Sequence, residues 1–307
     1  MQHDMMQCNI HSSHVVQCNI DIFIYCEHLR GLYVDVLKSM LLCVLPNPIQ
    51  SNKVYIMSKI LGYIAYEGPS QLDGAPIVVI INKVHSSSAN DKTGALVQSF
   101  IIRSDVNPVQ ALETGEDAAI CGECEHRPIN AKKTGKAPCY VNVGRSVLAV
   151  FKAYQRGRYV KVSPQELSLI LAGKKLRIGT YGDGAAAPVS LWQTLTQYTA
   201  DHVGYTHQWG RAGFDHFGWS SLVMASADTA AQALEAQALS YRTFRVSIGL
   251  DKRAGEISCP ASAESGKKTT CDNCMLCAGQ MKSAKNIVIA DHALGHKRRV
   301  IPILVAA

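Results

Sequence analysis

Five short apolar segments, "KLRIGTY", "HVGYTH", "SLVMASAD", "TFRVSI" and "IVIADH", follow one another through the second half of the chain. Helical patterning lies among them, from about Val189 to Ala200 and over "TAAQALEAQALS". Strands that alternate with helices cannot pair as hairpins. Each returns by a crossover, so neighbours run parallel. The pattern predicts an α/β fold, a (β/α) barrel-like sheet or a partial TIM-type barrel, preceded by a β-rich or mixed N-terminal extension. A doubly wound open sheet fits the same alternation, but neither G-x-G-x-x-G nor G-x-x-x-x-G-K-[ST] occurs to support a nucleotide fold. The segments end in "GTYGD", "GYTHQW", "ASAD" and "IVIADH", and parallel βα folds place their sites beyond the carboxyl ends of strands.

Upstream, "ILGYIAY", "APIVVIINKV" and "ALVQSFIIR" are broken by Gly, Pro and Ser clusters and read as strands. In "SPQELSLILAG", Ser163 caps a helix, Pro164 takes its first position, Glu166 completes a capping box and Gly173 stops it. Residues 1–56 differ in character. They repeat "QCNI", hold four of the eleven cysteines without ligand-like spacing, and end in "LPNPIQSNK" before Met57. They read either as a leader upstream of a functional chain starting at Met57, or as a small helical appendage with Leu29, Tyr33, Val36, Leu37, Met40 and Leu41 at helical spacing. The expected organisation is therefore 1–56, a small β-rich segment over 57–120, and a cysteine-rich barrel-like domain over 121–307.

The net charge of +7 favours a polyanionic or phosphate-bearing partner, a nucleic acid or nucleotide-like substrate, without establishing one. The N-terminus lacks the basic start, apolar core and small-residue cleavage site of a signal peptide. Asp21 to Leu45, the most apolar stretch, carries Glu27, His28, Arg30, Asp35 and Lys38, too many charges for a membrane span. The expectation is a cytoplasmic chain, in which clustered cysteines are metal ligands or redox groups more often than disulfides.

Cys271, Cys274 and Cys277 form a C-x2-C-x2-C run, and Cys259 precedes it by eleven intervening residues. Three thiolates in one tight loop, with a fourth nearby, suit an iron–sulfur cluster or a tetrahedral zinc ion, to which His292 can also contribute. Since the segment after "TFRVSIG" is rich in Ser, Gly and Lys, a metal is expected to fasten it where apolar burial cannot. Cys121 and Cys124 form a second knuckle, with Cys139 after fourteen intervening residues. This trio can leave one iron open to a further ligand, or His126 can close a zinc site.

Asp183 and Asp228 sit at strand ends, where each can serve as a general base or nucleophile. A local role competes in both cases: Asp228 as the N-cap of the following helix, Asp183 as a turn residue. His207 and Trp209 combine a titratable ring with a stacking surface, as a nucleobase or cofactor pocket needs, and His207 joins Asp183 and Asp228 as a candidate catalytic residue; packing on the barrel rim is the local alternative. Arg242 and Arg245 can hold phosphate or carboxylate, or form salt bridges.

The ordered series "CGEC…CYVN…FKAYQRGRY…LRIGTYGD…VGYTHQW…VMASAD…TFRV…CPAS…TTCDNCMLC…IVIADH" resembles the phage gene 88 protein family and its uncharacterised relatives in phages and mobile elements, over about Cys121 to His292. The resemblance implies a barrel that looks like a radical S-adenosylmethionine enzyme, with Cys121, Cys124 and Cys139 as the early cluster and Cys259, Cys271, Cys274, Cys277 and His292 as the late one. Enzymes of that superfamily usually carry C-x3-C-x2-C, whereas the spacing here is two and fourteen, which weighs against S-adenosylmethionine as the ligand. A zinc-stabilised base transferase, with Asp183 or Asp228 reacting, and a non-catalytic metal-stabilised binding module are the rival expectations.

Overall fold

The computed structural model describes residues 60–134, 139–247, 250–279 and 284–290. The expected leader over 1–56 and the candidate ligand His292 lie outside them. Three strands open the described chain: β1 (Gly62–Pro69), β2 (Pro76–Asn82) and β3 (Val97–Arg103). Next come α1 (Pro108–Thr114), α2 (Ala118–Cys121), α3 (Pro128–Thr134), a π-helical turn at Val143–Val147 and α4 (Leu148–Gln155). The short β4 (Val160–Lys161) and α5 (Pro164–Ile170) lead into β5 (Lys175–Tyr181), α6 (Val189–Thr196), β6 (Asp201–Thr206), α7 (His216–Leu222), β7 (Met224–Ala227), α8 (Ala230–Ala238) and β8 (Thr243–Ser247). The last elements are β9 (Glu256–Ser258), α9 (Cys271–Cys274) and β10 (Asn286–Ala290).

All ten strands join one sheet, in the order β4-β1-β2-β3-β5-β6-β7-β8-β10-β9. From β3 to β10 every neighbour pair is parallel. The order over that stretch never reverses. A doubly wound sheet reverses at a switch point and so puts helices on both faces; a sheet wound one way puts its right-handed crossovers on one face only. The side chains follow suit. Leu176 and Ile178 are buried in one cluster with Leu191, Trp192 and Leu195 of α6, while Arg177, Gly179 and Tyr181 line a cavity on the opposite face. The expected barrel does not close among the described residues, because β4 and β9 end the sheet unpaired with one another. The seven strands of the parallel run, β3 to β9 along the sheet, fall short of the eight that complete a TIM barrel, and β1 and β2 continue the sheet through antiparallel pairs.

The local signals at α5 are realised: the Ser163 hydroxyl accepts from the Glu166 amide, Glu166 reciprocates in a capping box, and Pro164 occupies the first turn. At β5 the pairing with β3 slips, from Gln98 opposite Arg177 to Phe100 opposite Tyr181. Gly179 makes the bulge possible, with φ of +70° and a Cβ position that would lie 2.8 Å from the Gly182 carbonyl. The Ser99 hydroxyl fills the gap, donating to the Arg177 carbonyl at 2.9 Å and accepting from the Gly179 amide at 2.8 Å. Bulges of this kind re-aim neighbouring side chains, here into the cavity.

Arg245 is engaged within the fold. Its Nε and Nη2 donate to the two Glu256 carboxylate oxygens at 2.7 Å each, tying β8 to the start of β9, and the side chains are 3% and 5% exposed. Burial works to raise the Glu256 carboxyl, but the Arg245 fork outweighs it and leaves it below its ordinary 4.5. A carboxylate lowered in the folded state contributes stability that is present above its unfolded pKa and lost as pH falls through the folded one. The unfolding midpoint is therefore expected to drop as pH falls below about 4.5, and Glu256→Gln is expected to flatten that slope in a pH series of thermal melts.

Candidate functional site

The open face of the sheet forms the floor of a cavity of about 490 Å³. Alternate residues point into it, as the two-residue period of a strand requires: Val203, Tyr205 and His207 from β6 and its end, Phe244 and Val246 from β8, Ile287 and Ile289 from β10. Its rim holds Cys121, Cys124 and Cys139 as well as Cys259, Cys271, Cys274 and Cys277. The two cysteine groups, separate in sequence, thus share one cavity.

The early group is assembled by a loop that folds back on itself. The fourteen residues between Cys124 and Cys139 contain α3, and the Cys139 amide returns to the His126 carbonyl at 2.7 Å. The knuckle is held by Arg127, whose Nε and Nη2 grip the Asp117 carboxylate at 3.0 and 2.7 Å while Nη1 and Nη2 also donate to the Gly122 and Gly115 carbonyls at 2.8 and 2.7 Å. Burial pushes the Cys121 thiol well up, reinforced by the proximity of Cys124 and Cys139, and pushes Cys124 and Cys139 up to about 11. At neutral pH the metal-free thiols are protonated.

The late group is held by different contacts. Arg242 sends Nη1 to the carbonyls of Leu276, Ala278 and Gly279 at 2.9, 3.1 and 3.1 Å, Nε to Ala284 at 3.1 Å and Nη2 to Lys285 at 2.6 Å. Asp272 accepts from the Ala95 amide at 2.9 Å, and the close approach requires Gly94, whose φ is +63° and whose Cβ would lie 2.0 Å from that carboxylate. Apolar anchoring exists as well. Met275 is buried with Leu96 and Val203 on the cavity side of the sheet, so the expectation that this segment lacks apolar attachment is corrected. Burial drives the Cys277 thiol up to about 12 despite a hydrogen bond with Tyr205, and raises Cys259 and Cys271, which Lys92 partly offsets.

Thiols raised by burial suit cationic centres, since a metal supplies the countercharge that stabilises thiolate in a dry site. Both groups pass that test of donor chemistry. Among the described residues, no three cysteine sulfurs lie within 4.8 Å of one another, whereas sulfurs sharing one zinc ion at 2.3 Å would be about 3.8 Å apart.

The candidate acids and rings converge on the early group. Asp183 follows β5 and is buried; its Oδ1 accepts from the Ala185 amide at 3.0 Å, and its Oδ2 from the Thr206 hydroxyl at 3.1 Å and the His207 amide at 2.8 Å. Burial raises its pKa, and these donors oppose the rise. Asp228 does not cap the helix after it. Thr229 does so, in a capping box with Gln232, leaving the Asp228 carboxylate to meet His126 Nε2 at 2.7 Å. The His126 and His207 rings lie 6.0 Å apart, edge to face. Trp209 is buried with its indole N–H on the Ser226 carbonyl at 2.7 Å, so it packs rather than stacks on a ligand. Arg242 and Arg245 are likewise occupied internally.

Arg127, Arg177 and Tyr205 escaped the motif reading. Arg177 lines the cavity from β5, its Nη2 on the Tyr140 hydroxyl at 2.9 Å and its buried Nε without a partner. Its sequence signal is weak, an arginine two residues after Lys175 in a strand that alternates with buried Leu176 and Ile178. No helix among the described residues is long and apolar enough to cross a membrane. No protein-family model, curated protein or solved structure matches the chain.

Proposed function

We propose that the chain is an iron–sulfur enzyme that works on a nucleotide-like substrate in the cavity, within a partial (β/α) barrel. The observation that carries this reading is that both cysteine groups line one cavity on the open face of the parallel sheet. Cys121, Cys124 and Cys139 would hold a cluster with one iron open to a ligand, and Cys259, Cys271, Cys274 and Cys277 a fully ligated one. Such a pair supplies single electrons and a binding position beside the substrate.

The remaining residues orient the substrate and the loops. Asp183 positions the ends of β5 and β6 against α2, through His207 and through its own amide on the Ile120 carbonyl at 2.6 Å. Arg177 and Lys92 supply positive charge for a phosphate or carboxylate group. S-adenosylmethionine is the open-iron ligand that the family resemblance puts forward.

Anaerobically purified protein is expected to contain iron and sulfide and to absorb broadly near about 400 nm. Cys124→Ser and Cys274→Ser are each expected to lose about half of the iron, and only the second to expose the 259–279 region to protease. Perturbation of the early cluster's EPR signal by S-adenosylmethionine would extend the reading to that ligand. Colourless protein with stoichiometric zinc would overturn the iron–sulfur reading in favour of a zinc-stabilised transferase or binding module.

A further inference from the structure

We infer that His126, His207 and Asp228 form a third metal site, for a single divalent first-row ion held by two imidazoles and one carboxylate. The three side chains come from the early loop and from the ends of β6 and β7. Each offers one donor atom, and these atoms lie within 4.8 Å of one another. Among the described residues no other such group of three occurs.

Three observations make this more than a chance meeting. First, His126 Nε2 and Asp228 Oδ1 are 2.7 Å apart. That spacing is a hydrogen bond, and opening it by a few tenths of an ångström would reach the about 3.0 Å between adjacent ligands on an octahedral ion with bonds of about 2.1 Å. Second, His207 Nε2 is buried without a hydrogen-bond partner. A buried polar atom left unmet costs about 1–3 kcal/mol, and coordination relieves that cost after a small rotation of the ring. Third, Asp228 stands where a helix cap is expected, yet Thr229 has taken the capping role. The carboxylate is thereby directed to His126.

The donor set belongs to the two-His-one-carboxylate class, which leaves open positions on the ion and favours borderline or hard cations over those that seek thiolates. His126 and His207 both line the cavity. The open positions would therefore face the same space as the two cysteine groups, and would take an oxygen-bearing chelating ligand. A structural His–Asp pair that merely docks the early loop onto β7 is the competing account, and it gives His207 no part.

Mn²⁺ alone separates the two accounts, since it prefers imidazole and carboxylate to thiolate. Intact protein, with its cysteine-bound metal retained, would be titrated with Mn²⁺ while the free-ion EPR signal is followed. One saturable Mn²⁺ per chain is expected. Asp228→Asn keeps a hydrogen bond to His126, and His207→Gln keeps the ring's approximate volume; each is expected to weaken binding at least about tenfold, with an unchanged unfolding midpoint. No saturable Mn²⁺ binding would overturn the inference, as would affinity unchanged in His207→Gln. Iron and sulfide content, measured on the same samples, reports on the cysteine centres separately, so failure of one reading leaves the other standing.

Discussion

Replacing Arg242 by Met is expected to release the segment that carries the late cysteines. The guanidinium donates to the carbonyls of Leu276, Ala278, Gly279, Ala284 and Lys285. Charge-assisted hydrogen bonds contribute more than neutral ones, and orphaned buried acceptors lose their desolvation compensation as well, so the loss should be at least about 3 kcal/mol. That is a large share of a typical domain's stability, about 5–15 kcal/mol. Denaturant unfolding should show it, together with rapid proteolysis between Cys259 and Gly279 and, on the proposed reading, a lower metal content. Met275 would remain on Leu96 and Val203, so the fragment should loosen before it detaches. Unchanged protease resistance would mean that the apolar contact alone holds this loop.

The second large effect is expected at Arg127. Its partner Asp117 has a side chain only 1% exposed. Removing the arginine leaves that carboxylate buried and uncompensated, a change that costs about 3–5 kcal/mol where measured for buried pairs. Arg127→Met should therefore destabilise the whole domain and disperse Cys121, Cys124 and Cys139. Adding Asp117→Leu should recover part of the loss, because replacing both partners removes the stranded charge. A cycle of four unfolding curves measures the coupling directly. Purely additive effects would show that the pair is not what holds the knuckle.

Each cysteine group is thus held by one arginine: Arg242 donates to backbone carbonyls alone, and Arg127 divides its donors between two carbonyls and the Asp117 carboxylate. This arrangement explains how loops rich in small and polar residues can present several thiols with fixed spacing. The guanidinium offers five donors in a planar fork, enough to satisfy the otherwise unpaired carbonyls of a tight loop. Lysine, a point donor, could not reproduce that geometry.

Local chemistry was legible in the sequence wherever it depended on neighbours along the chain. The capping box of Ser163 and Glu166, the alternation that makes β5 to β8 parallel, and the grouping of Cys271, Cys274 and Cys277 all follow from spacings of a few residues. Even there, adjacent signals compete: Asp228 and Thr229 both qualify as caps, and only the position of His126, 102 residues away, shows which is freed for another role. Tertiary structure alone decided that strand order runs without reversal from β3 to β10 and that the sheet stays open among the described residues. It also brought Cys139 back to Cys124 across fourteen residues, set both cysteine groups around one cavity, and committed Arg127 and Arg242 to the loops. The physical reason is the same throughout. Periodicity and capping report energies between residues one to four apart, whereas a shared cavity is set by which strands pair and which face the crossovers cover.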